Sequence, residues 1–283
     1  MKSKNPLSPG KPRGGEWIKH TLILAVLLVE LFPLYMTLQV SWKDNFMFMD
    51  NPWLPARPSE WIWSNWVHAW KLIGPALANS FFVTIITTVV QLAFAVAGAY
   101  FFARKRMPMA GILWPVFLIL IMLPAVINIV PLFSQIETLG LLDSLWALII
   151  VGIAGGQAFN IFVLRNFMED LPKDLFEAAE IDGASHLRQL QHVAIPLSLP
   201  IIGTLAILTF INTWNDFLFP LVVLRDSDLF TVGVALIYQD GEYVRRWGPV
   251  MASYLLASLP LLILFMFTMK WFVRGLSAGA VKG

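Results

Sequence analysis

The sequence predicts an all-α integral membrane protein with six transmembrane helices. Of its 283 residues, 58% are hydrophobic and only 13% are charged, whereas average globular chains are about 45–50% apolar and about 25% charged. The mean hydropathy is +0.70. A soluble fold of this size cannot bury so much apolar surface, so the lipid bilayer is the expected environment.

Six segments are long enough to cross a bilayer, whose core of about 30 Å needs roughly 20 apolar residues per helix. They lie near 20–41, 77–103, 110–134, 144–166, 197–223 and 248–273. The first segment is interpreted as a retained anchor, because its apolar run is too long for a signal peptide and no small-residue cleavage site follows it. The remaining parts are an N-terminal tail at 1–19, an external loop at 42–76, a core of five spans at 77–273 that includes a polar loop at about 167–196, and a C-terminal tail at 274–283.

The charges predict the orientation of the chain. Fourteen of the 20 Lys and Arg residues fall in the two tails, near the end of the last span at Lys270, and in the connections near 104–106 and 165–188, and six fall in the opposite connections. Loops rich in Lys and Arg stay in the cytoplasm. We therefore expect both termini and the loop at about 167–196 to be cytoplasmic.

Several kinds of chemistry have no residues to support them. The chain has no cysteine, and its four histidines show no metal-ligand spacing. No Gly-x-x-x-x-Gly-Lys-[Ser/Thr] motif is present, so the chain itself is not expected to bind ATP. No His/Asp/Glu constellation suggests a catalytic centre, and we expect neither a catalytic nor a metal site.

Small residues predict close helix packing. Gly152 and Gly156 form a Gly-x-x-x-Gly pattern in the fourth span, and an alanine-rich stretch lies in the second. In lipid, small side chains let helix backbones approach and gain van der Waals contacts. The pattern leaves open whether the neighbour belongs to this chain or to a second membrane subunit.

Five tryptophans occupy the predicted external loop. Two interpretations stand: anchoring at the membrane interface, where aromatic residues collect, or a stacking platform for sugar rings. The residues are Trp53, Trp61, Trp63, Trp66 and Trp70.

Few polar residues lie inside the predicted spans. Asn212, Asn215 and Asp216 are spaced i, i+3 and i+4, so a continuous helix would place them in one stripe, with Trp214 elsewhere. The stripe either lines a solute pathway or has a structural or gating role, and the second interpretation is favoured. Gln91, Asn128, Gln157 and Asn160 are weaker candidates, and Glu30 is expected to be buried against protein.

A polar island interrupts the apolar sequence before the fifth span. Pro172 and Asp174 suit the first turn of a short helix, which would place Leu175, Ala178 and Ala179 on one face and Glu177 and Glu180 away from it. Gly183 permits a sharp bend, and a second helix is expected from about Ser185 to Ala194. The resulting bent pair suits a protein partner, although a solvated hairpin without a partner has the same sequence pattern.

The signature residues of this island resemble the EAA loop of bacterial ABC importer permeases. The matching positions are Glu177, Ala178, Ala179, Asp182, Gly183, Ala184, Ile195, Pro196, Leu197 and Pro200. Leu190 stands where many relatives have Phe, which keeps an apolar contact. Asn212 to Phe217 and Phe272 to Gly283 resemble the carbohydrate-importer branch of this family.

The resemblance implies a type I ABC importer permease fold in the bacterial inner membrane. It implies that Glu177, Ala178, Ala179, Asp182, Gly183 and Ala184 contact a cytoplasmic ATPase, and that Gly279 and Lys282 of the tail reach toward it. The implied partners are a second permease subunit, two ATP-binding subunits and an extracytoplasmic solute-binding protein. ATP and magnesium would be bound by the ATPase, and nucleic acid is not an expected partner.

The leading functional hypothesis is therefore a permease subunit that imports a sugar or sugar-like solute. Glycerol phosphate or another polar metabolite is the first alternative. A self-sufficient secondary transporter is the second, but the sequence shows no convincing internal repeat and few charges near the membrane midplane.

Overall fold

The computed structural model describes residues 14–104, 109–239 and 245–280, and every regular element in these ranges is helical. A π-helical turn at Leu190–Ala194 joins α9 to α10, and short 3-10 turns lie in three connections. The α-helices are α1 (Gly14–Ser41), α2 (Asn45–Asp50), α3 (Ser64–Arg104), α4 (Ala110–Met122), α5 (Ile129–Thr138), α6 (Leu145–Gly155), α7 (Gln157–Glu169), α8 (Lys173–Ile181), α9 (His186–Gln189), α10 (Ile195–Asn215), α11 (Leu218–Val223), α12 (Val232–Tyr238) and α13 (Trp247–Ala280).

Five stretches in the described part of the chain are long and apolar enough to cross a membrane, and a bent pair formed by α4 and α5 makes a sixth if it is counted as one span. This agrees with the all-α membrane fold and the span count predicted from hydropathy. The five are Glu16–Ser41, Ser64–Arg104, Leu145–Glu169, His186–Val223 and Trp247–Met269.

The second span begins earlier than the sequence suggested. α3 starts at Ser64 and runs for 41 residues, so the last part of the predicted external loop at 42–76 is helical. Gly74 and Pro75 look like a boundary in the sequence, yet the helix continues through both. A proline is tolerated inside a membrane helix where neighbouring groups satisfy the freed backbone atoms.

The third predicted span, 110–134, is broken rather than continuous. α4 ends at Met122, and the axis turns by 95° before the next helical segment. Leu123 adopts extended backbone angles (φ −75°, ψ 126°), as expected for a residue that precedes a proline. The preference of the Leu123–Pro124 pair for extended structure thus outweighs the apolar character of the segment.

α3 is the central helix of the bundle, and it packs against α6, α7, α10, α12 and α13. The predicted close approach of small residues occurs within this chain. A Cβ atom on Gly152 would lie 2.8 Å from Thr87 Cγ2 of α3, and one on Gly156 would overlap the Gln91 side chain. The two glycines therefore let α6 and α7 approach α3.

Two of the weaker polar candidates, Gln157 and Asn160, bond inside this bundle. Gln157 Nε2 donates to the Gln91 and Ile153 carbonyl oxygens, both at 3.0 Å. Asn160 Nδ2 donates to Thr209 Oγ1 at 3.4 Å. These contacts favour a packing role over a solute-binding role for Gln157 and Asn160.

α1 is the most peripheral of the long helices and packs mainly against α13. Glu30, which the sequence suggested would be buried against protein, is exposed on α1 in this chain. The reason is that α1 has only one close neighbour among the long helices described. Burial of Glu30 against protein therefore stays a prediction that would require a partner subunit.

The outer tryptophans divide into two groups. Trp61 and Trp66 pack against Trp42, with ring centroids 4.7 Å and 5.0 Å from it, and are half-buried. Trp63 also contacts Trp42 but remains exposed, as do Trp53 and Trp70. The cluster around Trp42 closes the connection between α1 and α3, and the exposed rings suit interfacial anchoring.

Candidate functional site

The polar island forms a bent helical loop. α8 begins at Lys173, immediately after Pro172, and carries Asp174 in its first turn. Proline suits a helix start because its missing N–H would have no partner there, and a carboxylate is favoured at the positive end of the helix dipole. The structure therefore places a helix where the sequence predicted the first arm.

Gly183 makes the bend that ends α8. Its φ angle is +76°, a conformation that side chains disfavour. The Ala184 N–H donates to the Ala179 carbonyl at 2.9 Å, and the Gly183 N–H donates to the Glu180 carbonyl at 3.0 Å. These two bonds form a Schellman motif, which satisfies carbonyls left free at a helix end. The predicted bend at Gly183 agrees with this geometry.

The predicted orientation of α8 is wrong in part. Glu177 and Glu180 are exposed, as expected, and Ala179 is half-buried, but Leu175 and Ala178 are exposed. The buried side chain is Phe176, which is 8% exposed.

The face differs because two side chains of α3 bind the Phe176 ring. The Tyr100 ring lies 6.4 Å from it between centroids, and the Arg104 guanidinium carbon lies 4.1 Å from its centroid. Sequence reasoning did not assign Phe176 a role, because the periodicity of a nine-residue helix does not show which partner it meets.

The tip of the loop exposes apolar side chains that sequence reasoning also missed. Ile181 is 87% exposed and Leu187 is 62% exposed, on either side of the Gly183 bend. Of the predicted coupling residues, Glu177, Ala178, Asp182 and Gly183 are exposed, and Ala184 is half-buried. The signal available in the sequence was the presence of large apolar residues inside an otherwise polar segment.

The second arm of the loop is continuous with the membrane helix α10. α9 passes through the π-helical turn Leu190–Ala194 directly into α10, so the expected second helix is the first part of a longer one. Leu190, the position that departs from the family pattern, is buried in the cluster formed by α3, α7, α8 and α10. No loop residue therefore separates this arm from α10.

Asn212, Asn215 and Asp216 do not lie on one continuous helix. α10 ends at Asn215 and α11 begins at Leu218, so the predicted continuous helix over 197–223 is interrupted. Asp216 lies in the interruption with extended angles, immediately before Phe217, which precedes α11. Its side chain is exposed.

Asn212 and Asn215 are exposed in this chain, and Asn215 Nδ2 donates to the Ile211 carbonyl at 2.9 Å. Trp214 is buried instead, and its ring lies 5.0 Å from that of Phe81. Asn215 also borders a cleft of about 440 Å³ between α10, α12 and α13, with Trp214, Tyr254 and Ser258 among its lining residues. The cleft is mainly apolar in its composition.

The proposed tail contacts are only partly described. Gly279 lies in the last turn of α13, and Lys282 lies outside the described residues. Within the described ranges, no group of three or more His, Asp or Glu residues is placed to hold a metal ion.

The fold and this loop define a class: a membrane transport subunit whose apolar helices surround a central helix and whose bent loop projects from one end. The chain belongs to the family of binding-protein-dependent transport system inner membrane components, whose model matches residues 95–278. It is a permease subunit of an ABC importer, and such subunits are not enzymes. This agrees with the family predicted from the loop.

Relatives and a solved structure resemble nearly the whole chain. The sn-glycerol-3-phosphate transport system permease protein UgpE of Pectobacterium atrosepticum is 33% identical over 275 residues, covering 93% of this chain and 96% of that protein. The diacetylchitobiose uptake system permease protein NgcG of Streptomyces coelicolor is 28% identical over 269 residues, covering 94% and 88%. A chain in the crystal structure of a bacterial ABC transporter that imports the acidic polysaccharide alginate has a TM-score of 0.81 at 24% identity, covering 94% of this chain and all of that one.

Proposed function

We propose that this chain forms half of a translocation pathway for a sugar or sugar-like solute, and that its loop at 174–194 couples the pathway to a cytoplasmic ATPase. The observation that carries the proposal is the exposed tip of the bent loop. Glu177 and Asp182 present carboxylates there, beside the apolar side chains of Ile181 and Leu187. The membrane spans thus carry a folded projection with the chemistry of a protein interface.

The composition of the tip suits a groove on another protein. Ala178 and Gly183 are small and exposed, so a partner's surface can approach the backbone closely. Carboxylates form charge-assisted bonds with Arg or Lys of a partner. Burial of a large apolar side chain contributes about 1.5–3 kcal/mol, so Ile181 and Leu187 supply a driving force that carboxylates alone lack.

Coupling follows from a shift between two conformations. ATP binding brings two ATPase subunits together, and the motion displaces the loop, which is continuous with α10. ATP and a solute-loaded binding protein must favour the same outward-open state, since a ligand that binds both states equally shifts nothing. ATP and magnesium are bound by the ATPase in this mechanism, and this chain supplies the loop that transmits the motion to α10.

The proposed assembly contains this chain, a second permease subunit, two ATP-binding subunits and an extracytoplasmic solute-binding protein. Both termini and the coupling loop lie in the cytoplasm, as the excess of Lys and Arg in those segments supports. The tail residues Gly279 and Lys282 extend the contact with the ATPase. Lipid surrounds the remaining helix surfaces.

Sugar uptake is the main proposal, since a chitobiose-uptake permease is related over almost its whole length. Glycerol phosphate is the second candidate, favoured by the 33% identity to UgpE. Asn212, Asn215 and Asp216 are proposed to serve gating or helix packing rather than solute recognition, since Asn215 bonds within α10 and Asp216 lies at the interruption between α10 and α11.

Co-purification from native membranes tests this function. The chain should bring down a second permease and an ATPase, and a solute-binding protein should stimulate ATP hydrolysis by the reconstituted complex. Competition of uptake by unlabelled oligosaccharides or by glycerol phosphate then separates the two solute classes. Solute uptake by the chain alone in liposomes would refute the proposal and favour a secondary transporter.

A further inference from the structure

We propose that Arg104 is a positioning residue for energy coupling, which fastens the first arm of the loop to the central helix α3 so that the two move as one body. The inference rests on the proposed coupling function. Arg104 is the last residue of α3. It lies one helical turn beyond Tyr100, so both side chains leave the same face of the helix.

Arg104 binds the start of the loop through backbone carbonyls. Its Nη2 donates to the Met168 carbonyl at 2.5 Å and to the Leu171 carbonyl at 2.8 Å. These carbonyls lie at the end of α7 and in the link to α8, where helix carbonyls lack partners within the helix. A cation is also favoured at this negative end of the α7 dipole.

The same guanidinium binds α8 itself. Its central carbon lies 4.1 Å from the centroid of the Phe176 ring, and Phe176 is the buried residue of that helix. A planar cation over an aromatic ring is an attractive contact that strengthens when water is excluded. Arg104 therefore joins three consecutive elements, α7, the link at Leu171 and α8, to the end of α3.

Tyr100 fastens the second arm in parallel. Its hydroxyl donates to Gln189 Oε1 at 3.0 Å, and Gln189 Nε2 donates to the Ala184 carbonyl at 3.1 Å. Tyr100 and Gln189 are both buried, at 1% and 4% exposed. The bond thus reaches from α3 to the residue that follows the Gly183 bend, while the tip of the loop stays exposed.

α3 then carries the displacement to the rest of the bundle. It packs against α6, α7, α10 and α13, and it is long and apolar enough to cross a membrane. A loop fastened only through its peptide links to α7 and α10 would act on α3 only through the packing of those two helices against it. Fastening at Arg104 adds the helix that contacts most of the others, so loss of Arg104 should uncouple ATP hydrolysis from transport.

The test compares Arg104→Gln with Arg165→Gln in the full complex reconstituted in proteoliposomes. Arg165 is a matched control, since its guanidinium lies 4.0 Å from the Trp114 ring and pairs with Glu169 of its own helix, but it does not touch the loop. Solute uptake and ATP hydrolysis are measured on the same preparation, together with the amount of assembled complex.

We expect Arg104→Gln to lower the uptake per ATP hydrolysed at least about fivefold, the lower end of typical coupling between two sites. Arg165→Gln should change this ratio less than about twofold. If Arg104→Gln prevents assembly, Tyr100→Phe replaces it, because this change removes only the bond to Gln189 and should lower the same ratio.

An unchanged ratio in the assembled variants would overturn the proposal. A parallel loss of uptake and hydrolysis in the assembled complex, which leaves the uptake per ATP hydrolysed unchanged, would overturn it as well, since it would show a purely structural role. Failure of the proposed function itself is distinguishable, because wild-type complex would then show no solute uptake driven by ATP.

Discussion

The two ends of α3 hold their neighbouring segments in opposite ways. At the outer end, Lys43 is 2% exposed, and its Nζ donates to the Asn51 and Leu54 carbonyls, both at 2.6 Å. Asn65 Nδ2 donates to the Ser41 and Lys43 carbonyls at 3.0 Å and 2.8 Å. Lys43 of the outer connection and Asn65 of the first turn of α3 therefore both point inward and bind backbone carbonyls of the connection.

At the inner end, the polar anchors belong to α3 and the loop turns its own surface outward. Arg104 and Tyr100 hold Phe176 and Gln189, while Ile181 remains 87% exposed. The contrast teaches that burial alone does not identify function. A buried lysine here serves the fold, and under the proposed function the exposed isoleucine belongs to the surface that meets the ATPase.

Gly183→Pro should have the largest effect, because it disrupts the bend of the coupling loop. Proline fixes φ near about −65°, whereas Gly183 has +76°, and it removes the N–H that bonds to Glu180. We expect solute uptake per assembled complex to fall at least about tenfold, because the docking tip is displaced. Uptake into vesicles, normalised to the amount of complex, measures the loss.

Gly140→Pro is the matched control for that change. Gly140 has a φ of +66° and donates its N–H to the Glu137 carbonyl at 3.0 Å, but it lies at the opposite end of the bundle from the coupling loop. The Gly140→Pro substitution should impose similar backbone strain without loss of coupling. Normal uptake by Gly183→Pro would refute the coupling interpretation of the loop.

Lys43→Met would destabilise the connection between α1 and α3. The apolar stem of the side chain is kept, but two carbonyls lose a charged donor, for a net destabilisation of about 2 kcal/mol. The Tm of the purified complex should fall by about 5 °C. Lys71→Met, at an exposed lysine on the same side, should leave the Tm nearly unchanged.

Ile181→Ser should weaken the proposed contact with the ATPase without disturbing the fold of this subunit. Because Ile181 is exposed in this chain, its loss should not lower the stability of the subunit. Its burial by the ATPase predicts about tenfold weaker association or more. Titration of purified ATPase measures the change, and Met49→Ser, at an exposed outer residue, should bind as the wild type does.

Asp143 gives the smallest expected effect. The N–H groups of Arg225 and Asp226 donate to its carboxylate at 2.9 Å and 3.0 Å, and these bonds lower its pKa below the usual 3.8. A lowered folded pKa stabilises the fold above about 3.8, and this contribution is lost as the pH falls through the lowered value.

Asp143→Asn removes this pH-dependent contribution. We therefore expect the Tm of the variant to fall less than the Tm of the wild type as the pH drops to about 3.8 and below. Tm measured against pH, with the wild type beside it, records the difference. An identical pH profile for the two proteins would show that Asp143 does not contribute to the acid dependence.

Hydropathy predicted the spans, because a bilayer requires long apolar helices, and Gly183 predicted the bend, because few other residues adopt its conformation. The interruptions at Leu123 and Asp216 were not predicted. Each depends on local backbone preferences that a run of apolar residues conceals.

The orientation of α8 could not be predicted for a different reason. Leu175, Ala178 and Ala179 formed a plausible apolar face, and only the positions of Tyr100 and Arg104 decide that Phe176 is buried instead. Lys43 looked like an ordinary charged loop residue, because lysine is rarely buried. Both roles depend on contacts between residues that are distant in sequence.

The most direct test of the coupling loop uses the absence of cysteine from this chain. Ala178→Cys places a single thiol on the exposed surface of α8, and Phe46→Cys places one on the outer side as a control. In the assembled complex, a short thiol-reactive cross-linker should join Ala178→Cys to the ATPase, and Phe46→Cys should give no such product. Failure of Ala178→Cys to form this product in an intact, active complex would contradict the central claim that the loop grips the ATPase.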